Sequence, residues 1–479
     1  MNLSLHCARS TVAIALIVAA TAGCNDYLDA TVEGQISSES VNSPAAADAL
    51  RMGVLGSFHG LTSGQSNGTL AGSLASRGLW NYSGILADEW KASSSNAEIP
   101  ELDRRQATSG NAAVAASYNV IHQTRAKARE AISALTTYLP TPLYLGQMYV
   151  AQALAEVMLG ELFCNGTPLS GQQNGQIVYG TPLTNAEVFA VASAHLDTAM
   201  TYLSATDNAT VSWNRAARIL KARALIDIGG AANFTAAVAQ VSAIPTSYTF
   251  QNTFSATVAE DGLFVLNVGA TNNTHQQVGD SLNPTPALGI VRNVVPFASA
   301  GDPRVPVTGS SVTPSPLGNG NDSQTPRVAE QIWTTSTAAV NIFSGLDARL
   351  MEAEADLVAN NFAAMNTKLN TLRATPPALS PTLTPAAMAP LAVPADRAAA
   401  INQFFREKAF WTFGRGQRLG DMRRMIRQYG RAANTVFPEG LNHNTGAPYG
   451  PGINFPIPTS EATNPNITKT TDFCINRDA

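Results

Sequence analysis

The chain has 479 residues and a formal charge of −4, from 30 Lys plus Arg against 34 Asp plus Glu. Apolar residues make up 45%, too many for a disordered chain, while charged residues make up only 13%, so Ser, Thr, Asn and Gln must supply most of the polar surface. The mild acidity argues against general attraction for nucleic acid, and after the first stretch no apolar run reaches ~18 residues, which excludes a membrane-spanning helix there.

At the start of the chain, Arg9 gives a positive region and Thr11–Thr21 an apolar core too short to span as a helix, and the small residues Ala22 and Gly23 precede Cys24. This is a secretory signal. The placed cysteine makes it resemble a bacterial lipoprotein signal, cut before Cys24, which then carries lipid. Thr21 departs from that pattern, which usually has a larger apolar residue there. The other reading is an ordinary signal with an incidental cysteine. On the lipoprotein reading, residues 1–23 are signal and 24–479 form the mature chain, expected as one domain; several acyl chains anchor stably where a single one is marginal. Cys7 leaves with the signal. Cys164 and Cys474 remain as an even pair in an oxidising setting, which predicts a disulfide between them, with two buried thiols as the alternative. There is no CxxC and no His–Cys cluster at metal spacing, so neither a metal nor a cofactor is expected.

Gly64-Gln65-Ser66-Asn67-Gly68 fits the G-x-S-x-G pattern. A nucleophile elbow needs an apolar strand before it and a helix after it, and neither flank reads that way, so a chance match in a chain with 36 Gly is preferred. Leu79-Trp80-Asn81-Tyr82 to Asp88-Glu89-Trp90 places two Trp and one Tyr within eleven residues, beside amide and carboxylate groups. Sugars offer apolar C–H faces that stack on rings and hydroxyls that need polar partners, and a rigid ring meets them at small entropic cost. Trp80, Asn81, Tyr82, Asp88 and Trp90, with Trp333 from a later loop, are therefore candidate ligand contacts. The alternative is that these rings cap the helical core.

The middle of the chain reads as paired helices. One spans Ala112 to Tyr138. Tyr144, Met148, Ala151, Ala155, Met158 and Leu162 recur at steps of three and four, as do Phe189, Ala192, Leu196, Ala199 and Leu203, then Trp213, Ala217, Leu220, Ala224 and Ile228, and later Leu346, Leu350, Ala353 and Leu357. Ala at the contacts lets helices approach closely and suggests tetratricopeptide-like hairpins, although the full repeat consensus is absent. The fold class expected is mostly α, with long irregular loops and a few short strands. Residues 245–340 form a loop-rich insertion broken by prolines, with strand-like fragments at Leu263–Val268 and Ile290–Val295. Within it, Asn319-Gly320-Asn321-Asp322 reads as a polar turn rather than a calcium loop.

The stretch Arg406–Arg431 is rich in arginine. Arg418, Asp421 and Arg424 fall at i, i+3 steps on one helical face, and the 345–358 helix offers Asp347, Glu352, Glu354 and Asp356 as an acidic complement. Arg forks bind carboxylates in bidentate fashion, so Glu354, Arg418, Asp421 and Arg424 are expected as structural ion pairs between two helices rather than as a nucleic-acid patch. Gly414 and Gly416 sit in this Arg-rich context, not after a strand, which argues against a dinucleotide fingerprint.

Four segments together carry a family resemblance. Cys24-Asn25-Asp26-Tyr27-Leu28-Asp29, Leu350-Met351-Glu352-Ala353-Glu354-Ala355, Gly416-Gln417-Arg418-Leu419-Gly420-Asp421-Met422-Arg423-Arg424, and Pro456-Ile457-Pro458-Thr459-Ser460-Glu461 followed by Asn464-Pro465-Asn466 resemble, in order and spacing, segments of the SusD/RagB family of outer-membrane nutrient-uptake lipoproteins. Glu407 fits the pattern, but Trp411 and Arg415 stand where acidic residues are usual, as in a divergent branch. The resemblance implies a mostly helical, non-catalytic protein on the outer membrane at the cell surface, lidding a TonB-dependent, SusC-like barrel and capturing glycans or, in some members, peptides. It also implies ligand contacts from loops after the first helix and from the central insertion. Three function classes follow: a nutrient-binding component, a helical-repeat scaffold for protein partners, and a secreted hydrolase using Ser66.

Overall fold

The computed structural model describes residues 42–66, 74, 77–173, 176–270, 274–467 and 473–479; the signal segment and Cys24 lie outside them. The α-helices among the described residues are α1 Pro44–Leu61, α2 Leu79–Leu86, α3 Glu98–Asp103, α4 Ala112–Tyr138, α5 Pro142–Leu162, α6 Asn185–Tyr202, α7 Asn208–Ile228, α8 Ala231–Val241, α9 Gly262–Asn267, α10 Gly345–Val358, α11 Phe362–Ala374, α12 Arg397–Trp411 and α13 Arg418–Arg427. None of the described helices is long and apolar enough to cross a membrane.

Polar side chains start the main helices. Asn111 accepts the Ala113 and Val114 N–H groups at the head of α4, Thr184 and Glu187 form a capping box on α6, and Asp207 accepts the Thr210 N–H on α7. Each satisfies donors that a helix start leaves without partners. Short connections then fold successive helices back on each other: α4 packs on α5, α5 on α6, α6 on α7, α7 on α8, and α10 on α11. From Leu145 to Leu162, every residue of α5 except Tyr149 is buried, because α1, α4, α6 and α7 surround it. Small residues set how near these neighbours come. A Cβ on Gly160 would lie 2.6 Å from Phe189 Cε1 of α6, and Ala151, Ala155, Ala192, Ala199, Ala217 and Ala224 are all buried at the contacts. The architecture is the mostly helical, tetratricopeptide-like one that the periodicity predicts.

Strands are short and pair two by two, all antiparallel. Three of the ladders stitch the 245–340 insertion to the rest of the chain: Gln65–Ser66 with Glu260–Asp261, Trp90–Ala92 with Gln276–Val278, and Thr249–Asn252 with Val340–Ser344. The fragment expected as a strand at Leu263–Val268 is instead α9. Asp261 accepts the Leu263 N–H at 3.1 Å and starts a helix, so a local cap overrides the strand preference of the apolar run. Ile290–Val295 makes isolated bridges, Ile290 with Leu282 and Arg292 with Glu439, rather than a continuous strand.

Cys164 and Cys474 form a disulfide across 310 residues of sequence. It fixes the C-terminal tail to the segment that follows α5, where the Ile475 N–H also donates to the Asn165 carbonyl at 2.8 Å and Asn165 Nδ2 to Asn476 Oδ1 at 2.8 Å.

Candidate functional site

The glycines of Gly414-Arg415-Gly416 explain where three tryptophans go. Both glycines take positive φ, +71° and +64°, in the turn between α12 and α13, a region that favours glycine. A Cβ on Gly416 would lie 2.0 Å from Trp80 Cδ1, and one on Gly414 would lie 3.2 Å from Trp333 Cη2 and 3.3 Å from Trp90 Cζ2. The structure thus brings Trp80, Trp90 and Trp333 together against one turn, in the core: each is 1% exposed. The other expected ligand contacts are equally committed to the interior. Asn81 donates to the Ser63 carbonyl at 2.9 Å, Tyr82 donates to the Leu74 carbonyl at 2.6 Å, and Asp88 accepts both arms of Arg418 at 2.7 and 2.9 Å. None of these six side chains reaches the surface, so the expectation of a ligand face built from Trp80, Asn81, Tyr82, Asp88, Trp90 and Trp333 is corrected to a packed core. The reason is that aromatic rings clustered next to glycine-bearing turns have a partner inside the protein.

Around the same turn lies a set of buried charges. Arg424 holds Glu354, Asp421 and Asp227; Lys408 reaches Asp421 at 2.7 Å; Tyr429 donates to Glu354 at 2.8 Å. Arg415 binds Asp347 at 2.7 Å, so α10 receives two arginines from the α12–α13 region. Arg418 turns to Asp88 and not to α10. Glu352 pairs with Arg349 on its own helix and Asp356 with Lys368 of α11. Arg423 caps α5, donating to the carbonyls of Gly160, Glu161 and Phe163 at 2.7–3.0 Å, where a helix end leaves acceptors free. Burial opposes ionisation of Asp421, but Lys408 and Arg424 outweigh it and hold its carboxyl below the usual range. Burial, and Glu161 beside it, push Asp227 well above that range. Glu89 and Glu330 are each pushed up to about 8, chiefly by burial. Such clusters of shifted groups occur at structural ion networks as well as at active sites. This one is buried and ties four helices, α7, α10, α12 and α13. Ser66 likewise sits buried in the two-residue strand paired with Glu260–Asp261. The Asn319–Asp322 turn closes on itself, with Asp322 accepting from the Gln324 and Thr325 N–H groups.

Open clefts lie elsewhere. The larger, of about 1000 Å³, runs along α4 and is walled by the hairpin of Gly171–Gln173 and Gln176–Val178 and by Ser460 and Glu461. Asn119, Gln123, Ala126, Glu130, Ser133 and Thr137 form its exposed face. They recur at steps of four and three, on the side of α4 opposite the buried Val114, Ile121, Ala128 and Leu135. Tyr118 and His122 line its inner end. Burial and the Glu461 carboxylate push the Tyr118 phenol well above its ordinary value. Burial, with Arg125 next, pulls His122 down to about 3. Both are therefore neutral at physiological pH. The cleft offers amides, hydroxyls, the carboxylates of Glu130 and Glu461, the Arg129 guanidinium and apolar patches from Ile177 and Ala134, a mixture suited to hydroxyl-rich ligands. The polar stripe of α4 was available in the sequence as the complement of the apolar stripe, but nothing in one helix tells which outer walls will stand over it.

No family model matches the sequence, and no curated protein does. Solved structures match through most of the chain. A SusD/RagB family protein from Bacteroides thetaiotaomicron superposes with TM-score 0.60 at 14% identity, over 88% of this chain and 94% of its own. A SusD-like protein from Bacteroides fragilis gives 0.62 at 10% identity, over 90% and 98%. Surface glycan-binding protein A from Bacteroides uniformis gives 0.60 at 13%, over 90% and 100%. The fold is SusD-like. At such identities the likeness is one of fold. Within the SusD-like fold of this chain, the G-x-G turn, α13 and α10 form the charged junction, and the α4 cleft is the largest open concavity described above.

Proposed function

We propose that the chain is the ligand-capturing lipoprotein of a nutrient importer, taking a glycan at the cell surface and passing it to a TonB-dependent, SusC-like outer-membrane barrel. The SusD-like fold over about nine-tenths of the chain carries this reading; among the matched structures one is described as glycan-binding and another as a SusD-like carbohydrate binding protein. In this reading residues 1–23 are the signal, Cys24 carries the lipid, residues 24–479 form one SusD-like unit, and no chemistry is performed on the ligand. The ligand occupies the α4 cleft, where Asn119, Gln123 and Glu130 supply hydrogen bonds and the hairpin supplies an apolar wall. A scaffold for protein partners or a peptide-binding role would use the same helical surface. A hydrolase using Ser66 has less support, because that hydroxyl is buried within a strand.

A form beginning at Asn25, screened on a glycan array and a peptide array, tests the proposal. Glycan binding without turnover is the expected outcome. Binding to peptides alone would redirect the assignment, and turnover abolished by Ser66→Ala would replace it. Asn119→Ala with Glu130→Gln should weaken glycan binding while leaving the melting temperature unchanged, since exposed substitutions of this kind rarely change stability by more than about 0.5 kcal/mol. Cys24→Ser should release the chain from the membrane fraction or block its processing; a variant that stays membrane-bound and fully processed removes the anchor from the proposal.

A further inference from the structure

A second cleft, of about 560 Å³, opens between the end of α6, the first three turns of α7 and the end of α8. Two arginines of α7, Arg215 and Arg218, line it one turn apart, and its lining includes no Asp or Glu. Like charges at this spacing repel each other. Both are nevertheless held in place, and by neutral groups. Arg218 donates from Nε to Asn214 Oδ1 at 2.8 Å and from Nη1 to Gln240 Oε1 at 3.4 Å, which leaves the far edge of its fork for another acceptor. Asn214 is itself fixed, donating to the Leu203 carbonyl at 2.9 Å. Arg215 lies with Cζ 5.7 Å from the centre of the Tyr248 ring, a cation–π arrangement that orients a guanidinium without neutralising it. Asp207, the acid nearest in sequence, is used at the head of α7, where it accepts the Thr210 N–H at 3.0 Å. The contrast with the charged junction is direct: there Arg415, Arg418 and Arg424 each meet a carboxylate of this chain. Around the two α7 arginines, Met200, Val211 and Ala243 supply accessible apolar surface.

We propose that this cleft binds an anionic saccharide, with its acidic group, a carboxylate or a sulfate ester, bridged by Arg215 and Arg218, and a ring face against the apolar wall. Guanidinium forks match the paired oxygens of either group. The saccharide part rests on the proposed glycan role; the anion part rests on the cleft alone.

Calorimetry on the full chain in detergent solution tests it, with trigalacturonate, its neutral methyl ester, a sulfated oligosaccharide and inorganic phosphate as probes. The acid should bind about tenfold or more tightly than its ester at low salt, with the gap narrowing as ionic strength rises. Comparing the uronate with the sulfated probe tells which acidic group the forks prefer. Arg215→Gln with Arg218→Gln should abolish the gap and leave melting unchanged. Equal affinity for acid and ester, and no response to the sulfated probe or to phosphate, would overturn the proposal, as would a gap that survives in the double variant. Neutral glycans bound normally with no acid preference would remove this cleft and keep the importer. Phosphate binding that the double variant loses, with no saccharide bound at all, would keep the anion cleft and remove the glycan role.

Discussion

The α5–α6 interface and the junction of α10, α12 and α13 are both buried, but they are held by different physics. At the first, Gly160 meets Phe189 and alanines meet apolar side chains. Each of these apolar contacts is small and replaceable, and a carboxylate at this interface, Glu156, meets His195 of α6 at 2.7 Å. At the second, Arg424, Lys408, Glu354 and Asp421 are all nine-tenths buried or more, and each is tolerable only because the others are present. The apolar interface therefore loses stability in small steps, whereas the charged junction should fail when one member is removed. The substitutions below separate the two regimes.

Asp421→Ala should have the largest effect. It removes the closest carboxylate from Lys408, leaving Glu354 at 3.7 Å, and one of the three carboxylates around Arg424, and breaking a buried pair costs about 3–5 kcal/mol. Chemical denaturation should show that loss with no specific defect in ligand affinity. A variant of unchanged stability but lost binding would make the junction a ligand site and remove the contrast between the two regions.

That the junction exists was legible in the sequence, because Arg418, Asp421 and Arg424 fall at helical spacing and α10 carries a complementary set of acids. Its wiring was not. Arg418 pairs with Asp88, 330 residues away in sequence, and Arg423 caps α5; periodicity within one helix says nothing about which distant segment arrives opposite it. The helical hairpins were legible for the opposite reason, since the stripes on α5, α6 and α7 are local properties. The ligand face was misread because aromatic density beside polar residues describes a sugar platform and a buried tryptophan cluster equally well. The deciding residues, Gly414 and Gly416, lie more than three hundred positions from Trp80 and Trp90.

Cys164→Ser with Cys474→Ser comes next. The bridge lies at the end of α5 and so belongs to the apolar region, yet it acts on the unfolded chain. In the chain-entropy model a loop of this length contributes on the order of 6 kcal/mol, whereas measured values are typically about 2–4 kcal/mol. Non-reduced peptide mapping should recover the linked pair, and thermal unfolding of the double variant should come at a lower temperature. Two free thiols in the mapped protein would remove the tie between tail and scaffold.

Gly416→Ala tests the tryptophan side of the junction. Its Cβ would collide with the Trp80 ring, at a backbone conformation that already disfavours alanine. Overpacking of this kind typically costs about 1–3 kcal/mol. Gly430→Ala, also at positive φ but with nothing within 4 Å of the added carbon, should show the backbone part alone. Equal losses in the two variants would mean that Trp80 does not press on this turn.

A last test reads the difference between the regions without breaking either. Glu89 is fully buried beneath the Gly414 turn. Its Oε1 accepts the Gly414 N–H at 2.9 Å, while Oε2 has no hydrogen-bond partner among the described residues. Burial raises its pKa from 4.5 to about 8. Below pH 4.5 the carboxyl is protonated in both folded and unfolded chains and has no influence on the balance. Between pH 4.5 and 8 the unfolded chain ionises while the folded one keeps its proton, so stability falls as pH rises, and the loss is complete once pH passes the folded value. The slope from one such group is at most about 1.4 kcal/mol per pH unit. Glu89→Gln keeps the acceptor for Gly414 and removes the titration. Denaturant unfolding at pH 6, 7 and 8 should therefore show a shallower decline in the variant, with its stability moving closest to wild type, or above it, at pH 8. Gly160→Ala, in the apolar interface, should lower stability by the same amount at all three values. Parallel pH profiles for Glu89→Gln and wild type would mean that Glu89 is already ionised in the folded protein, with a cation or water supplying what the buried turn lacks.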